Sequence, residues 1–338
     1  MSNNRTIPLA PDMSMVRILN GMWQVSGGHG RIDPQRAVAD MLAYHDAGFT
    51  TWDLADHYGP AEDLIGDFRR KLLAERGAAA LASSLAFTKW VPMPGNITRR
   101  DVENAVHRSR RRMGVERLDL LQFHWWDYNN PAYLDALRYL ADLRDAGEIR
   151  HLALTNFDTA HLRTITEAGI RVVANQVQYS LVDQRPDALL APYGVAHDIR
   201  LLAYGTLMGG LLSERYLGQP EPLSAQLDTA SLGKYKRMLD TWGDWALFQD
   251  VLRTLKAVAD KHGVSIANVA TRAVLDRPAV AGVIIGARLG LAEHLADTAR
   301  VFSLALDDTD RAQIAAVTGQ GRDLMRAIGD CGDEYRHR

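Results

Sequence analysis

One cysteine, Cys331, stands in a chain of 338 residues. A single thiol excludes an intramolecular disulfide and any cysteine metal cluster, and its place near the C-terminus reads as incidental. No stretch approaches the roughly 18 uninterrupted apolar residues of a membrane-spanning helix. The opening MSNNRTIPLAPDMSM lacks a basic segment followed by an apolar one. It does not read as a secretory signal, and the cytoplasm is the expected compartment. Neither sign of charge is in excess, the formal net charge being −2. That balance argues against a general nucleic-acid or anionic-membrane binder, which carries a basic surplus. The one dense basic run, Arg108 to Arg112, reads as a solvated helix face. No G-x-G-x-x-G follows the first apolar run; GGHG (Gly27 to Gly30) has the glycines without the spacing and reads as a flexible loop.

Hydrophobic residues make up 47% of the chain, enough for a sizeable core. They are organised as an alternation: short runs rich in Leu, Val and Ile, each followed by a longer segment with helical spacing. Asp33 and Pro34 supply an N-cap and a first-turn proline for a helix that Gly48 ends. A second helix is expected from about Glu62 to Glu75, and Thr98 with Asp101 has the spacing of a capping box. The strand-like runs are Val16 to Met22, FTTWDLA, LAFTKW, LDLLQFHW, IRHLALTNF, RVVANQVQYS, IRLLAYG and VAGVIIG. LDLLQFHW is nearly continuously apolar, as suits a parallel strand buried on both faces. Eight strand–helix units predict a (β/α)8 barrel over residues 1–338 as one domain, with a doubly wound sheet as the competing architecture. The interval from Gly205 to Ala281 is too long for one crossover and must hold a long loop and extra helices.

Barrel enzymes carry their chemistry where the strands end. Here the second run ends at Asp53 with Tyr58 in the loop beyond, the third at Lys89 and the fourth at His124. The fifth ends at Thr155 and Asn156, the sixth contains Gln176 and the seventh closes on Tyr204. A phenol with an ordinary pKa of about 10 is a weak acid at neutral pH. An ammonium beside it lowers that value, a carboxylate holds the ammonium, and an imidazole orients a substrate oxygen. Such a set suits proton donation to a carbonyl that receives hydride. It contains neither a strong nucleophile nor a metal-binding set.

The run WDLADHYGPAEDLIG resembles the F-D-T-A-x-x-Y-G-x-[SA]-E-x-x-[LI]-G signature of the aldo-keto reductases. GMWQ, TNF, NQVQYS, AYGTLMGGLLS and VIIGARLGLAEHLADT are similar to further segments of that family, in the same order along almost the whole chain. The resemblance implies an NADPH-dependent reductase of aldehydes or ketones, with NADH the lesser alternative cofactor. Tyr58 would be the proton donor, with Lys89 lowering its pKa, Asp53 holding Lys89, and His124 orienting the carbonyl. Asn156 and Gln176 would hold the nicotinamide carboxamide, with the cofactor-side Thr155 standing where serine is common, and Tyr204 would stack on the ring. Gly286, Ala287 and Arg288 would open the last helix at a phosphate, Arg288 meeting the adenosine 2′-phosphate, with His294 and Asp297 on the adenine side. Trp23, Trp90 and Trp125 are candidates for the substrate pocket, although Trp90, Trp125 and Trp126 also suit a core. Two departures stand out: Gly205 replaces the serine usual after the stacking aromatic, and the I-P-K-S form of the phosphate segment is absent.

Other readings stay open at this stage. A barrel hydrolase could pair carboxylates from Asp53, Asp56, Glu62 and Asp63. That leaves Lys89 without a role, and Glu62 and Asp63 are expected to face out of the site. A nicotinamide-binding regulatory subunit with little turnover would keep the cofactor residues and tolerate loss of Tyr58. Oxidation of a sugar or other alcohol is the same chemistry reversed. No tyrosine is followed four residues later by lysine, which speaks against a short-chain dehydrogenase. His45 and His107 read as structural. The expected partner is a small carbonyl compound, neither nucleic acid nor membrane, and a homo-oligomer is left open.

Overall fold

Strands that are apolar on both faces must be covered on both faces, and a closed barrel inside a shell of helices does this without leaving an edge. The computed structural model describes residues 5–27, 32–93, 95–290 and 294–336. It opens with a hairpin, β1 (Thr6–Ala10) and β2 (Met13–Val16). Eight strands follow: β3 (Ile18–Gly21), β4 (Thr51–Asp53), β5 (Leu85–Trp90), β6 (Leu118–His124), β7 (Ile149–Thr155), β8 (Ala174–Gln178), β9 (Arg200–Tyr204) and β10 (Val280–Gly286). They close as a barrel in the order β10-β3-β4-β5-β6-β7-β8-β9, and every registered pair is parallel.

The shell is built from α1 (Pro34–Asp46), α2 (Ala61–Ser83), α3 (Arg99–Met113), α4 (Ala132–Asp145), α5 (Thr159–Glu167) and α6 (Leu190–Ala196). The long interval between β9 and β10 holds α7 (Ala230–Trp242), α8 (Trp245–His262) and α9 (Ile266–Leu275). After the barrel come α10 (Leu295–Ala299), α11 (Asp308–Thr318) and α12 (Leu324–Ala327). The local signals act as read: Asp33 accepts from the N–H groups of Gln35 and Arg36, and Thr98 with Asp101 forms a full capping box. Among the described residues no helix is long and apolar enough to cross a membrane.

The expected first barrel strand, Val16 to Met22, is β3 (Ile18–Gly21), while the hairpin before it, which takes Val16, was not anticipated. Pro11-Asp12 is the turn, and Leu9, Met13 and Met15 pack with Leu85, Phe87 and Leu120 inside one end of the barrel. That plug is where the barrel is apolar. Two residues further along each strand, the inward positions become Asp53, Lys89, Gln122 and Gln176. The period of two along a strand therefore sorts the interior into an apolar floor and a polar rim.

Three more expectations change. Helix α2 continues past Glu75 to Ser83, with a left-handed break at Gly77. Glu62, expected to face outward, is 1% exposed and accepts hydrogen bonds from Thr88 Oγ1 (2.7 Å) and Arg112 Nη1 (3.3 Å). The basic run is thus more than a solvated face, since Arg112 crosses to α2 and also donates to the Asp56 carbonyl. Of the GGHG stretch only Gly27 lies within the described residues.

Helices α2 and α3 meet at Gly66, where an added Cβ would stand 2.3 Å from the Arg112 carbonyl oxygen. A backbone oxygen cannot swing aside. Gly66→Ala is expected to destabilise the fold by about 1–3 kcal/mol, read as a lower midpoint in denaturant unfolding.

Candidate functional site

Four side chains from four strands meet at the polar rim. Lys89 Nζ on β5 donates to both carboxylate oxygens of Asp53 on β4, at 2.8 and 2.7 Å, and to the Leu54 carbonyl at 2.9 Å. Asp53 Oδ1 also accepts from the Nε2 atoms of Gln122 on β6 (2.9 Å) and Gln176 on β8 (2.7 Å). Gln176 Nε2 reaches Gln122 Oε1 as well, at 2.7 Å. Burial pushes the Lys89 ammonium below the usual lysine range, with Asp53 opposing. Gln122 was not anticipated; its inward position two residues before His124 was the available signal.

Tyr58 follows β4 and packs edge-on against Trp23, with ring centroids 4.9 Å apart. Its ring lies 5.1 Å from Lys89 Nζ. The expected lowering of its pKa is reversed: burial first, and then the charge of Asp53, push the phenol well above its usual value. Burial is the larger cause, and the ion pair is why Lys89 does not offset it. All three ammonium donors of Lys89 are committed to Asp53 and Leu54, and the nearby carboxylate cancels the cation's field. Tyr58 is therefore a neutral phenol.

His124 ends β6 as a neutral imidazole. Burial, and then the charges of Arg336, His57, Lys89 and Lys234, hold its pKa down to about 3. Its Nε2 is buried without a partner among the described residues. Trp126 lies against this ring, with centroids 4.2 Å apart. Trp90 and Trp125, proposed from sequence for the pocket, are 5% and 0% exposed and pack around Phe123 in the core. Each follows an inward residue by one position, and so points outward. Trp23, 39% exposed beside Tyr58, does stand at the mouth.

The neighbouring strand ends carry amide-binding groups. Thr155 Oγ1 is buried without a partner among the described residues. Asn156 is held at φ 56°, in the left-handed region that asparagine tolerates best among larger residues. Its Oδ1 accepts from the Tyr204 hydroxyl at 2.9 Å. Gly205 has φ 73°, and an added Cβ would stand 2.5 Å from the Tyr235 hydroxyl oxygen, so the space of the usual serine is taken by a tyrosine.

The segment after β10 differs from expectation. Gly286 lies under the Gln24 side chain, whose amide nitrogen would be 2.1 Å from an added Cβ. The Ala287 N–H donates to the Gly21 carbonyl, so it offers nothing to a phosphate. Arg288 is exposed and does not open a helix: α10 starts only at Leu295, with His294 as its exposed N-cap residue. Asp297 accepts from Ser265 Oγ and Asn268 Nδ2, both at 2.9 Å, which ties it to the start of α9.

The C-terminal segment completes the mouth, and nothing in the sequence pattern announced it. Tyr335 Oη lies 2.9 Å from Tyr204 Oη and also meets Lys234 Nζ of α7. Arg336 donates to the carbonyls of Trp125 (3.2 Å) and Asn156 (2.6 Å). Gln24 Oε1, His124 Nε2 and Thr155 Oγ1, all buried without partners among the described residues, lie at the ends of separate barrel strands. Orphaned polar atoms of this kind fit a ligand that brings several hydrogen-bonding groups at once, as a nicotinamide dinucleotide does.

A parallel eight-stranded barrel with a Lys–Asp pair, a phenol and an imidazole at the strand ends defines a class of carbonyl-reducing barrel enzymes. Residues 17–318 match the aldo/keto reductase family, and the chain belongs to it. The aldo-keto reductase YhdN of Bacillus subtilis is 26% identical over 280 residues, covering 80% of this chain and 81% of that one. Flagellar radial spoke protein 5 of Chlamydomonas reinhardtii is 30% identical over 260 residues, 66% of this chain; the match spans 49% of that protein's length. The glycerol dehydrogenase AKR11B4 of Gluconobacter oxydans shares the fold, with a TM-score of 0.75 at 24% identity over 98% of both chains. The protein is an NAD(P)H-dependent oxidoreductase acting on small carbonyl compounds.

The neutral state of His124 has a consequence for stability. Unfolded, the imidazole titrates near 6.5, and folded near 3. Between these values the unfolded chain binds a proton that the folded chain does not, so stability present above pH 6.5 is lost as pH falls. Relative to His124→Leu, the wild type is expected to lose about 1.4 kcal/mol per pH unit between pH 6 and 4. Paired urea melts across that range measure the difference.

Proposed function

We propose that the chain, read as one domain, reduces an aldehyde or ketone with NADPH, and that Tyr58 gives the proton. The observation that supports this most directly is the neutral Tyr58 phenol beside a Lys89 held by Asp53. When bound, the cofactor supplies a hydride. The carbonyl oxygen that gains charge is far more basic than a phenolate, so Tyr58 delivers its proton downhill without a lowered pKa. The phenolate left behind lies 5.1 Å, ring to Nζ, from Lys89, and the Lys89–Asp53 pair stays intact through the transfer. His124, as the Nε2–H tautomer, donates a hydrogen bond to the substrate oxygen and does not exchange protons near neutrality. Thr155, Asn156 and Gln176 hold the carboxamide and Tyr204 lies along the ring, with Asn156 Oδ1 exchanging its bond to Tyr204 for one to the ligand. Arg288, exposed after β10, meets the 2′-phosphate. Asp297, tied to α9 by Ser265 and Asn268, stands with the exposed His294 on the adenine side.

Tyr58→Phe is expected to lower kcat for an aromatic aldehyde by a factor of 100 or more, in the ~10²–10⁴ range typical of general acids. Cofactor affinity, from nicotinamide fluorescence, should change less than threefold. An unchanged kcat would remove Tyr58 as donor. NADPH binding without consumption by the wild type would favour a regulatory subunit. Arg288→Ala is expected to weaken NADPH at least tenfold more than NADH in the same titration; equal losses would remove it as the discriminating residue.

A further inference from the structure

The chain has six lysines, and five have a carboxylate within ion-pair distance. Lys71 faces Glu75, Lys89 faces Asp53, Lys236 faces Glu221 and Asp240, Lys256 faces Asp260, and Lys261 faces Asp307 and Asp310. Lys234 is the exception among the described residues. Its hydrogen-bond acceptor is the Tyr335 hydroxyl, and its Nζ stands over the rings of Tyr204, Tyr235 and Tyr335 at 4.8, 4.9 and 4.8 Å. Glu334, the nearby carboxylate, is engaged through Oε2 by Arg185 at 2.9 Å and by the Gly332 N–H at 2.9 Å, and its Oε1 is buried without a partner among the described residues, so it makes no ion pair with Lys234. Burial works against the charge on Lys234, but Tyr235, Tyr335 and Glu334 outweigh it and keep the ammonium above the usual lysine range. A half-buried ammonium enclosed by aromatic faces, with donors to spare, is an incomplete ion pair.

Its position says what completes the pair. The Tyr335 ring adjoins both Lys234, 4.8 Å from its centroid, and the catalytic end of the site, with the centroids of His124 at 6.4 Å and Trp126 at 5.7 Å. Arg336, next in the chain, adds a second cation, and its Nε and Nη1 are buried without partners among the described residues. We infer that Lys234, with Tyr335, receives the acid group of the substrate, so that the preferred carbonyl compound carries a carboxylate or phosphate about one ring's length from its C=O. This rests on the reductase reading for the position of the carbonyl, at His124.

The test is made by binding, so that it does not depend on turnover. Benzoate and its neutral isostere benzamide are titrated into the protein with NADPH present, following tryptophan fluorescence, since Trp126 adjoins Tyr335. The wild type is expected to hold benzoate at least tenfold more tightly than benzamide. In Lys234→Met, which keeps the apolar stem, the ratio should fall to near one, and Lys234→Arg should restore most of it. A ratio retained in Lys234→Met, or absent in the wild type, overturns the inference. So does a loss confined to NADPH affinity, which would assign the cation to the cofactor's phosphates. Failure of the reductase reading appears elsewhere, as an absence of NADPH consumption with any aldehyde.

Discussion

The buried pair of Lys89 and Asp53 is the constraint on which the site depends. Two opposite charges at the centre of a barrel incur a desolvation cost that their attraction offsets only with good geometry and satisfied donors and acceptors. Here the geometry is supplied by the barrel itself. Strands β4 and β5 are neighbours, and Lys89 reaches both oxygens of Asp53 and one backbone carbonyl. Gln122 and Gln176, from β6 and β8, then satisfy the carboxylate from across the barrel. The same pair bears on the state of Tyr58, where burial acts first and the charge of Asp53 second. A cation with all its donors engaged and its field balanced leaves the phenol protonated, which is the state a donor requires.

The second organising feature is the C-terminal segment. Arg185, itself clamped to Asp183, holds the Asp330 carbonyl and the Glu334 carboxylate. Gly332 is required there, because an added Cβ would stand 2.2 Å from the Asn156 carbonyl oxygen, and its φ of 92° disfavours any other residue. These contacts set Tyr335 and Arg336 over the ends of β6, β7 and β9. The mouth is thus closed on one side by residues more than a hundred positions from the strands they cover, and its electrostatic character, cationic around Lys234 and Arg336, arises from that closure.

Much of the fold was legible because it follows local rules. The strand runs, the Asp33 cap, the Thr98–Asp101 box and the long interval before the last strand all come from periodicity and turn chemistry. That Asp53, Lys89 and His124 stand together at strand ends was legible because polar residues ending apolar runs are costly unless used. Illegible features share one cause, a dependence on distant partners. The hairpin's alternation is short, and its apolar face has meaning only against the barrel floor. Trp90 and Trp125 looked like pocket residues by proximity in sequence, whereas side-chain direction along a strand turns each to the opposite face. The bonds of Asp297 to Ser265 and Asn268 could not be read from its own segment.

The sequence by itself determined the eight strand–helix units and the residue types at each strand end, since these depend on spacing and on the cost of burying polarity. Only the tertiary structure decided which donors remained available. Tyr58 is neutral and buried beside the charge of Asp53, Ala287 is unavailable because Gly21 accepts its N–H, and Arg185 rather than Lys234 pairs with Glu334. Each outcome is a competition among hydrogen bonds and charges brought together by closure of the barrel, and no local pattern along the chain records who wins it.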